Sequence, residues 1–530
     1  SKEVSDAFEA AGYDRELGKV TISNRPDLCE YQCNGAMAGA KKNGKAPFMI
    51  SDAVAEKLQD NEMFEKVESV KPGFLNITVS GEFVRSYVVK MLHEKHLGVT
   101  LPGHEPTFMI DYGGPNVAKP LHVGHLRSAV IGESIKRILK YTGHKVIGDI
   151  HLGDWGLQMG LVITGLKERK PDLCYFDSDF EGPYPKEAPF TVSELEEIYP
   201  AASKKSKEDE AFKAAAMEAT KLLQDGYKPY RALWHHILNV SVADLKKNYK
   251  NLNVNFDLWR GESDVHEVIP GMVEYMKQHK YAYLSQGALV VDVAKETDTK
   301  EIPPLLFKKS NGAYLYASTD ASTILQRTKD FNPDHILYVV DNRQELHFTQ
   351  VFRTVEKAGI MPQEKLEFLG YGTVNGEDNK PYKTRNGKSP KLEGLFNDAK
   401  EIFISKKEEN KNMSEEDLNK IVNAILKFAD LSNTRTKDYI FDLNKFSEVT
   451  GKTGPYILYT YLRINKILET QNKNLELSNN IYNEPDRDLR IKLIEFSEAV
   501  NMAYKERMPH YIADYVYNLC VSANIFYQNN

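Results

Sequence analysis

Between Thr107 and Gly372 the hydrophobic positions alternate between two periods. TFMIDY is a short apolar run that reads as a buried strand, and GGPNVAKP is a turn. Val123, Leu126, Val130, Ile131, Ile135, Ile138 and Leu139 then recur at helical spacing up to Tyr141. HKVIGDI gives a second strand and WGLQMGLVITGL a second helix. The alternation returns later. YLYA precedes the helix STDASTILQRTKD, HILYVVD precedes QELHFTQVFRTVEKAG, and LEFLGYG follows. This order predicts a doubly wound, Rossmann-type parallel sheet, an α/β architecture. A polar, largely helical stretch with a strand hairpin, at about 170–300, separates the halves and reads as an insertion.

The flanks have different textures. SDAVAEKLQD is an amphipathic helix and FLNITVS an alternating strand, so 1–100 is expected to be a separate α+β unit. LGVTLPGHEP, at 97–106, is its Pro/Gly-rich connector. From about 400 the segments IVNAILKFADLS, GPYILYTYLRINKILET, LRIKLIEFSEAVNMAYKE and PHYIADYVYNLCVSANIFY predict an all-α bundle. The expected division is therefore 1–100, 101–400 and 401–530, as suits a chain of 530 residues.

Composition changes this picture little. Hydrophobic residues make up 41% and charged residues 27%, with a net charge of −6. That balance is ordinary for a globular protein and leaves room for local basic patches. The four cysteines include one close pair, CEYQC, with no second pair to complete a zinc site, so no tightly bound metal is expected. Reduced thiols, a polar N-terminus without a signal peptide and no apolar run of ~20 residues lead us to expect a soluble cytoplasmic protein.

The candidate chemistry lies in PNVAKPLHVGHLRSAVIG, 115–132. Ligands of open parallel sheets bind beyond the carboxyl ends of the strands, where this segment falls. A helix beginning near Val123 offers unpaired N–H groups suited to phosphate. His122 and His125 are one turn apart and face one side, and Gly124 lets a ring or phosphate approach the backbone. Alone, H-x-x-H on a helix is common decoration. A strand end, a glycine, paired histidines and Lys119 together single it out.

These residues carry a resemblance. The stretch resembles the HIGH motif of class I aminoacyl-tRNA synthetases, and its flanks resemble the arginyl-tRNA synthetases. So do GDWGLQMG at 153–160, NRQELHFTQVF at 342–352, PYKTRNGKSPKLEGL at 381–395, the N-terminal DLCEYQCNGAMAGAKK and the helical TGPYILYTYLR. The resemblance implies ATP-dependent activation of arginine to arginyl-adenylate, followed by transfer to the terminal adenosine of tRNA(Arg). Mg²⁺ accompanies the ATP. By this resemblance His122, Gly124 and His125 hold ATP. Lys383, with Arg385 and Lys388, belongs to the second signature loop. The usual pattern of that loop, KMSKS, has a final lysine that is not clearly present here, and Lys119 stands where a compensating lysine is found.

For arginine, the resemblance implies Asp111 and Asn116 at the amino end of the substrate and Tyr316 and Asp320 at the guanidinium, with Glu262, Gln350 and His125 around them. A guanidinium is planar, always charged and has five donors, so its pocket needs carboxylates plus neutral acceptors. Tyr456, Tyr459 and Arg463 offer stacking faces and a charge for tRNA bases. The resemblance also implies a tRNA-contacting role for 1–100, an anticodon-binding role for 401–530 with further helix beyond FYQNN, and a monomer with no membrane partner. Two other readings remain open at this point: a catalytically idle tRNA-binding paralogue, or another class I synthetase.

Overall fold

The computed structural model describes residues 1–310, 314–380, 382, 391–406, 408–470, 481 and 483–530, without the side chains of 408 and 409. By contact density it forms two compact units. One joins Ser1–Thr100 with Thr460–Ala499 and Tyr515–Asn530, and the other holds Leu101–Tyr459 and Val500–Asp514.

The second unit is built on a five-stranded, fully parallel sheet. Its strands are β1 (Thr107–Tyr112), β2 (Lys145–Leu152), β3 (Leu258–Gly261), β4 (His335–Val339) and β5 (Leu366–Phe368), in the order β5-β4-β1-β2-β3. The chain leaves β1 toward β2 and later returns on the other side of β1. The C-terminal ends of β1 and β4 therefore flank the switch point. Helix α1 (Val123–Tyr141) follows β1 and α2 (Leu157–Arg169) follows β2. The insertion begins with α3 (Val192–Glu208) and includes α4 (Lys228–Asn251). Helices α5 (Tyr316–Phe331) and α6 (Glu345–Lys357) flank β4, and α7 (Glu415–Leu431) packs against α1.

Two sequence expectations are revised at the level of elements. Leu258–Gly261, inside the stretch read as insertion, is an edge strand of the main sheet. Its four residues include Trp259 and Arg260, too short and too polar to show a strand pattern. YLYA is not a strand. Tyr314 makes a single bridge to Lys308, and the helix begins at Tyr316.

Alternation along β1 divides the core. Phe108, Ile110 and Tyr112 join a cluster with Leu126 and Val130 of α1, while Met109 joins Ile324 of α5 and Val351 and Val355 of α6 on the opposite face. Asp111 shares the face of Met109. It is in register with Tyr338 on one side and Asp149 on the other. Arg327 of α5 lies over this row. It donates to Asp111 Oδ2 and Asp149 Oδ2, each at 2.7 Å, and to the Tyr338 hydroxyl at 3.1 Å. One guanidinium thus meets two carboxylates, all buried. Removing a single member would strand a buried charge at a cost of ~3–5 kcal/mol.

A second buried arginine ties α1 to distant backbone. Arg127 donates to the carbonyls of Gly372, Lys437 and Arg435 at 2.5, 2.9 and 3.1 Å and approaches Asp430 at 3.3 Å. Gly372 precedes the segment 381–395, so the helix that follows β1 and the entry to that segment share this anchor.

In the other unit, strands Val20–Ile22, Tyr31–Cys33, Phe74–Val79 and Phe64–Val70 form an antiparallel sheet in that order. Phe8, Ile50, Val54, Leu58, Leu75 and Ile77 fill its core. Helix Glu484–Ile494 packs Ile491 against Val79 and Val84, and Arg487 pairs with Glu30 at 2.6 Å.

Candidate active site

The turn after β1 is stitched to the turn after β2. Val117 N–H donates to Gly153 O at 3.0 Å and Gly153 N–H to Pro115 O at 3.1 Å. Asn116 lies against Gly153, where an added Cβ would meet Asn116 Oδ1 at 2.0 Å. This fixes the approach to α1. His122 is the N-cap, with Nδ1 accepting the Gly124 N–H at 3.1 Å, and His125 Nδ1 accepts the His122 N–H at 3.1 Å. The ring centroids are 3.9 Å apart. Both Nδ1 atoms are acceptors, so each neutral ring carries its proton on Nε2 and has one N–H left to donate. Burial, then the neighbouring His122 and Lys119, hold His125 down to about 3, and burial with Lys119 lowers His122. Both rings are therefore neutral donors at physiological pH.

Gly124 has a second role here. A Cβ on it would meet His122 Cε1 at 2.9 Å and Nδ1 at 3.1 Å. Its lack of a side chain lets the capping ring fold over the helix end.

Beyond the end of β3 a second group of side chains is acidic. Glu262 follows β3 at the start of a short 3₁₀ turn, Glu262–Val265. Burial, then the charges of Asp154 and Asp320, push its carboxyl up to about 8. Asp154 is fixed by Ser263, whose N–H and hydroxyl donate to it at 3.0 and 2.6 Å. Burial raises the Asp154 carboxyl as well. Among the described residues no lysine or arginine pairs with Glu262 or Asp154. Asp320, on the first turns of α5, contacts His347 Nε2 of α6 at 2.6 Å. Tyr316, at the start of α5, is 66% exposed. Both ring nitrogens of His151 are buried and meet no protein partner among the described residues.

The remaining sequence candidates fall out as follows. Asp111 has one oxygen committed to Arg327, and its carboxyl is raised chiefly by burial. Gln350 is buried and its amide donates to Pro303 O at 2.7 Å, leaving its carbonyl as the acceptor. Lys119 sits over the ring of Tyr199, 4.6 Å from its centroid. Lys383, Arg385 and Lys388 lie outside the described residues. Their C-terminal flank is placed, because Lys391 bridges to His122 and Leu392 N–H donates to Leu121 O at 2.8 Å. Tyr459 is 52% exposed, and Arg463 donates to Asn524 at 2.8 Å.

Sequence reasoning missed Arg327 and Asp149 and left His347 unassigned. One signal was available. Arg327 lies seven residues after Asp320, on the helix face marked by the buried Ile324. Nothing in the sequence linked Ser263 to Asp154, a pairing made only by the fold.

Comparison with known proteins accords with this geometry. Residues 87–443 match the profile "tRNA synthetases class I (R), catalytic domain", 1–79 the "Arginyl tRNA synthetase N terminal domain" and 457–530 the "DALR anticodon binding domain". The arginine–tRNA ligase of Agathobacter rectalis is 53% identical over 100% of this chain and 92% of its own length. That of Alkaliphilus oremlandii is 50% identical over 99% and 91%. In fold, the crystal structure of arginyl-tRNA synthetase from Plasmodium falciparum aligns with a TM-score of 0.81 at 24% identity, covering 100% of this chain and 92% of that one. With a single profile spanning most of the chain and relatives at half identity along its whole length, the chain belongs to the class I arginyl-tRNA synthetases.

Proposed function

We infer that the cleft beyond β1 and β4 is where this arginine–tRNA ligase joins arginine to ATP and then to tRNA. The observation that carries this placement is the pairing of two unlike halves. A helix N-terminus with two neutral imidazole donors faces one side, and a carboxylate group of Glu262, Asp320 and Asp154 lies on the other.

In this reading the triphosphate lies against the amino end of α1. The Nε2–H groups of His122 and His125 donate to phosphate oxygens as charge builds at the α-phosphorus, each worth ~3–4 kcal/mol if well placed. Lys119 and, from the second signature loop, Lys383 and Arg385 hold the phosphates, with Lys388 as the further candidate there. Gly124 serves the nucleotide by letting the His122 ring fold over the helix end. Mg²⁺ enters with ATP as part of the substrate. The arginine carboxylate attacks the α-phosphorus, the bond to the bridging oxygen breaks, and pyrophosphate leaves. The 2′-hydroxyl of the terminal adenosine then attacks the arginyl carbonyl and AMP departs. Positioning and electrostatics supply the catalysis.

The guanidinium is read by Asp320 and Glu262 with Tyr316 covering it, and the Gln350 carbonyl accepts a remaining donor. Asp111 and Asn116 meet the amino end. Tyr456, Tyr459 and Arg463 belong to the tRNA surface, with 1–100 contacting tRNA and 401–530 binding the anticodon. A single chain in the cytoplasm is the working form in this reading, as the family resemblance implies.

Pyrophosphate exchange with arginine, ATP and tRNA(Arg) tests the placement. Asp320→Asn should raise the KM for arginine far more than that for ATP. An equal rise in both would remove Asp320 from the guanidinium site.

A further inference from the structure

Lys119 precedes α1, yet its ammonium is held by the insertion. It stands over the face of Tyr199 on α3, 4.6 Å from the ring centroid. The segment carrying it is held in an uncommon backbone conformation. Ala118 has φ +61°, the left-handed region that residues with a Cβ rarely adopt. Its N–H donates to Ser241 Oγ of α4 at 3.1 Å. Three residues before Tyr199, on the same side of α3, Glu196 pairs with Lys391. Lys391 in turn bridges to His122. The insertion thus grips the chain on both sides of the candidate phosphate site.

A lysine side chain is a flexible stem with a point charge, and it loses much rotamer freedom when fixed. An aromatic face attracts the ammonium without neutralising it, unlike a carboxylate. The charge therefore stays available to a phosphate. Its reach is visible in the imidazoles, where Lys119 is among the groups lowering both His122 and His125.

We propose that Tyr199 is a positioning residue: its ring pre-sets the Lys119 ammonium beside His122 and His125 for the triphosphate, making the insertion part of the ATP site. The proposal rests on the reading that Lys119 serves the phosphates, and the test separates the two.

Pyrophosphate exchange with the full chain, arginine and tRNA(Arg) is measured for Tyr199→Leu, Tyr199→Phe, Lys119→Met and the double variant Lys119→Met/Tyr199→Leu. Tyr199→Leu should raise the KM for ATP about three- to tenfold, on the scale of a cation–π contact, and leave the KM for arginine unchanged. Tyr199→Phe keeps the ring and should restore wild-type values. In the Lys119→Met background the leucine should add nothing further. The proposal is overturned if phenylalanine fails as leucine does, or if leucine adds its full effect on top of Lys119→Met. If Lys119→Met impairs ATP use while Tyr199→Leu is silent, only the positioning role falls. Wild-type exchange by Lys119→Met would remove both the role of Lys119 and that of Tyr199.

Discussion

In the proposed arginine site, a proton and the substrate guanidinium compete for the carboxylate of Glu262. Burial and the charges of Asp154 and Asp320 raise its pKa to about 8 in the free enzyme. A bound cation favours the ionised form, so arginine must displace a proton wherever Glu262 begins protonated. The sign follows: arginine affinity should rise with pH through the range below about 8, by up to tenfold per unit, and level off above it. Calorimetric titration at several pH values would show this slope, and Glu262→Gln should abolish it while binding more weakly. Asp320→Asn removes a charged acceptor and should cost ~1.5–3 kcal/mol of arginine affinity, read in the same titration. The histidines should behave oppositely. Because burial keeps His125 neutral down to about 3, activation at saturating arginine should show no inflection near the ordinary imidazole pKa. These electrostatics were only half legible beforehand. The family resemblance proposes Asp320 and Glu262 for a cationic substrate. The burial that raises the Glu262 carboxyl comes from segments far apart in the chain.

Helix α1 was the most readable element, because seven apolar positions at helical spacing and a glycine between two histidines leave little freedom. Its cap was less so. That His122 would accept from Gly124, and so need a residue without a Cβ there, depends on a rotamer that periodicity does not encode. Gly124→Ala should push the His122 ring off the helix end. The expected loss is ~1 kcal/mol of stability from the cap, visible in thermal unfolding, with a larger proportional fall in pyrophosphate exchange. Further along the same helix, Arg127 binds four carbonyls from two remote segments and faces buried Asp430. Arg127→Met should destabilise the fold by ~3–5 kcal/mol in denaturant titration, because the carboxylate of Asp430 is left buried without its cation. Long-range anchors of this kind escape sequence reading, since their partners are backbone oxygens. The edge strand Leu258–Gly261 escaped for a related reason: four residues give periodicity too little to count.

For the whole molecule, the parallel sheet, the helical C-terminal segments and the α+β beginning were legible from texture alone. Motif order then named the family. The contact pattern among segments was not legible, because it joins stretches hundreds of residues apart. The proposed tRNA surface gives the prediction at this scale. Tyr459→Ala should raise the KM for tRNA(Arg) in charging assays, with ~1–3 kcal/mol lost if the ring stacks on a base, and should leave arginine titration unchanged. One architectural fact reaches into biosynthesis. The first hundred residues share a unit with Thr460–Ala499 and Tyr515–Asn530, and the sheet unit includes Val500–Asp514. Neither unit can close until residues beyond Val500 have left the ribosome. A stalled nascent chain ending before Arg487 would lack the partner of Glu30, and with it the helix that seals the opening segment. Synthesis must therefore run past Val500 before either unit is whole, and a chain arrested earlier exposes the apolar surface that those residues cover.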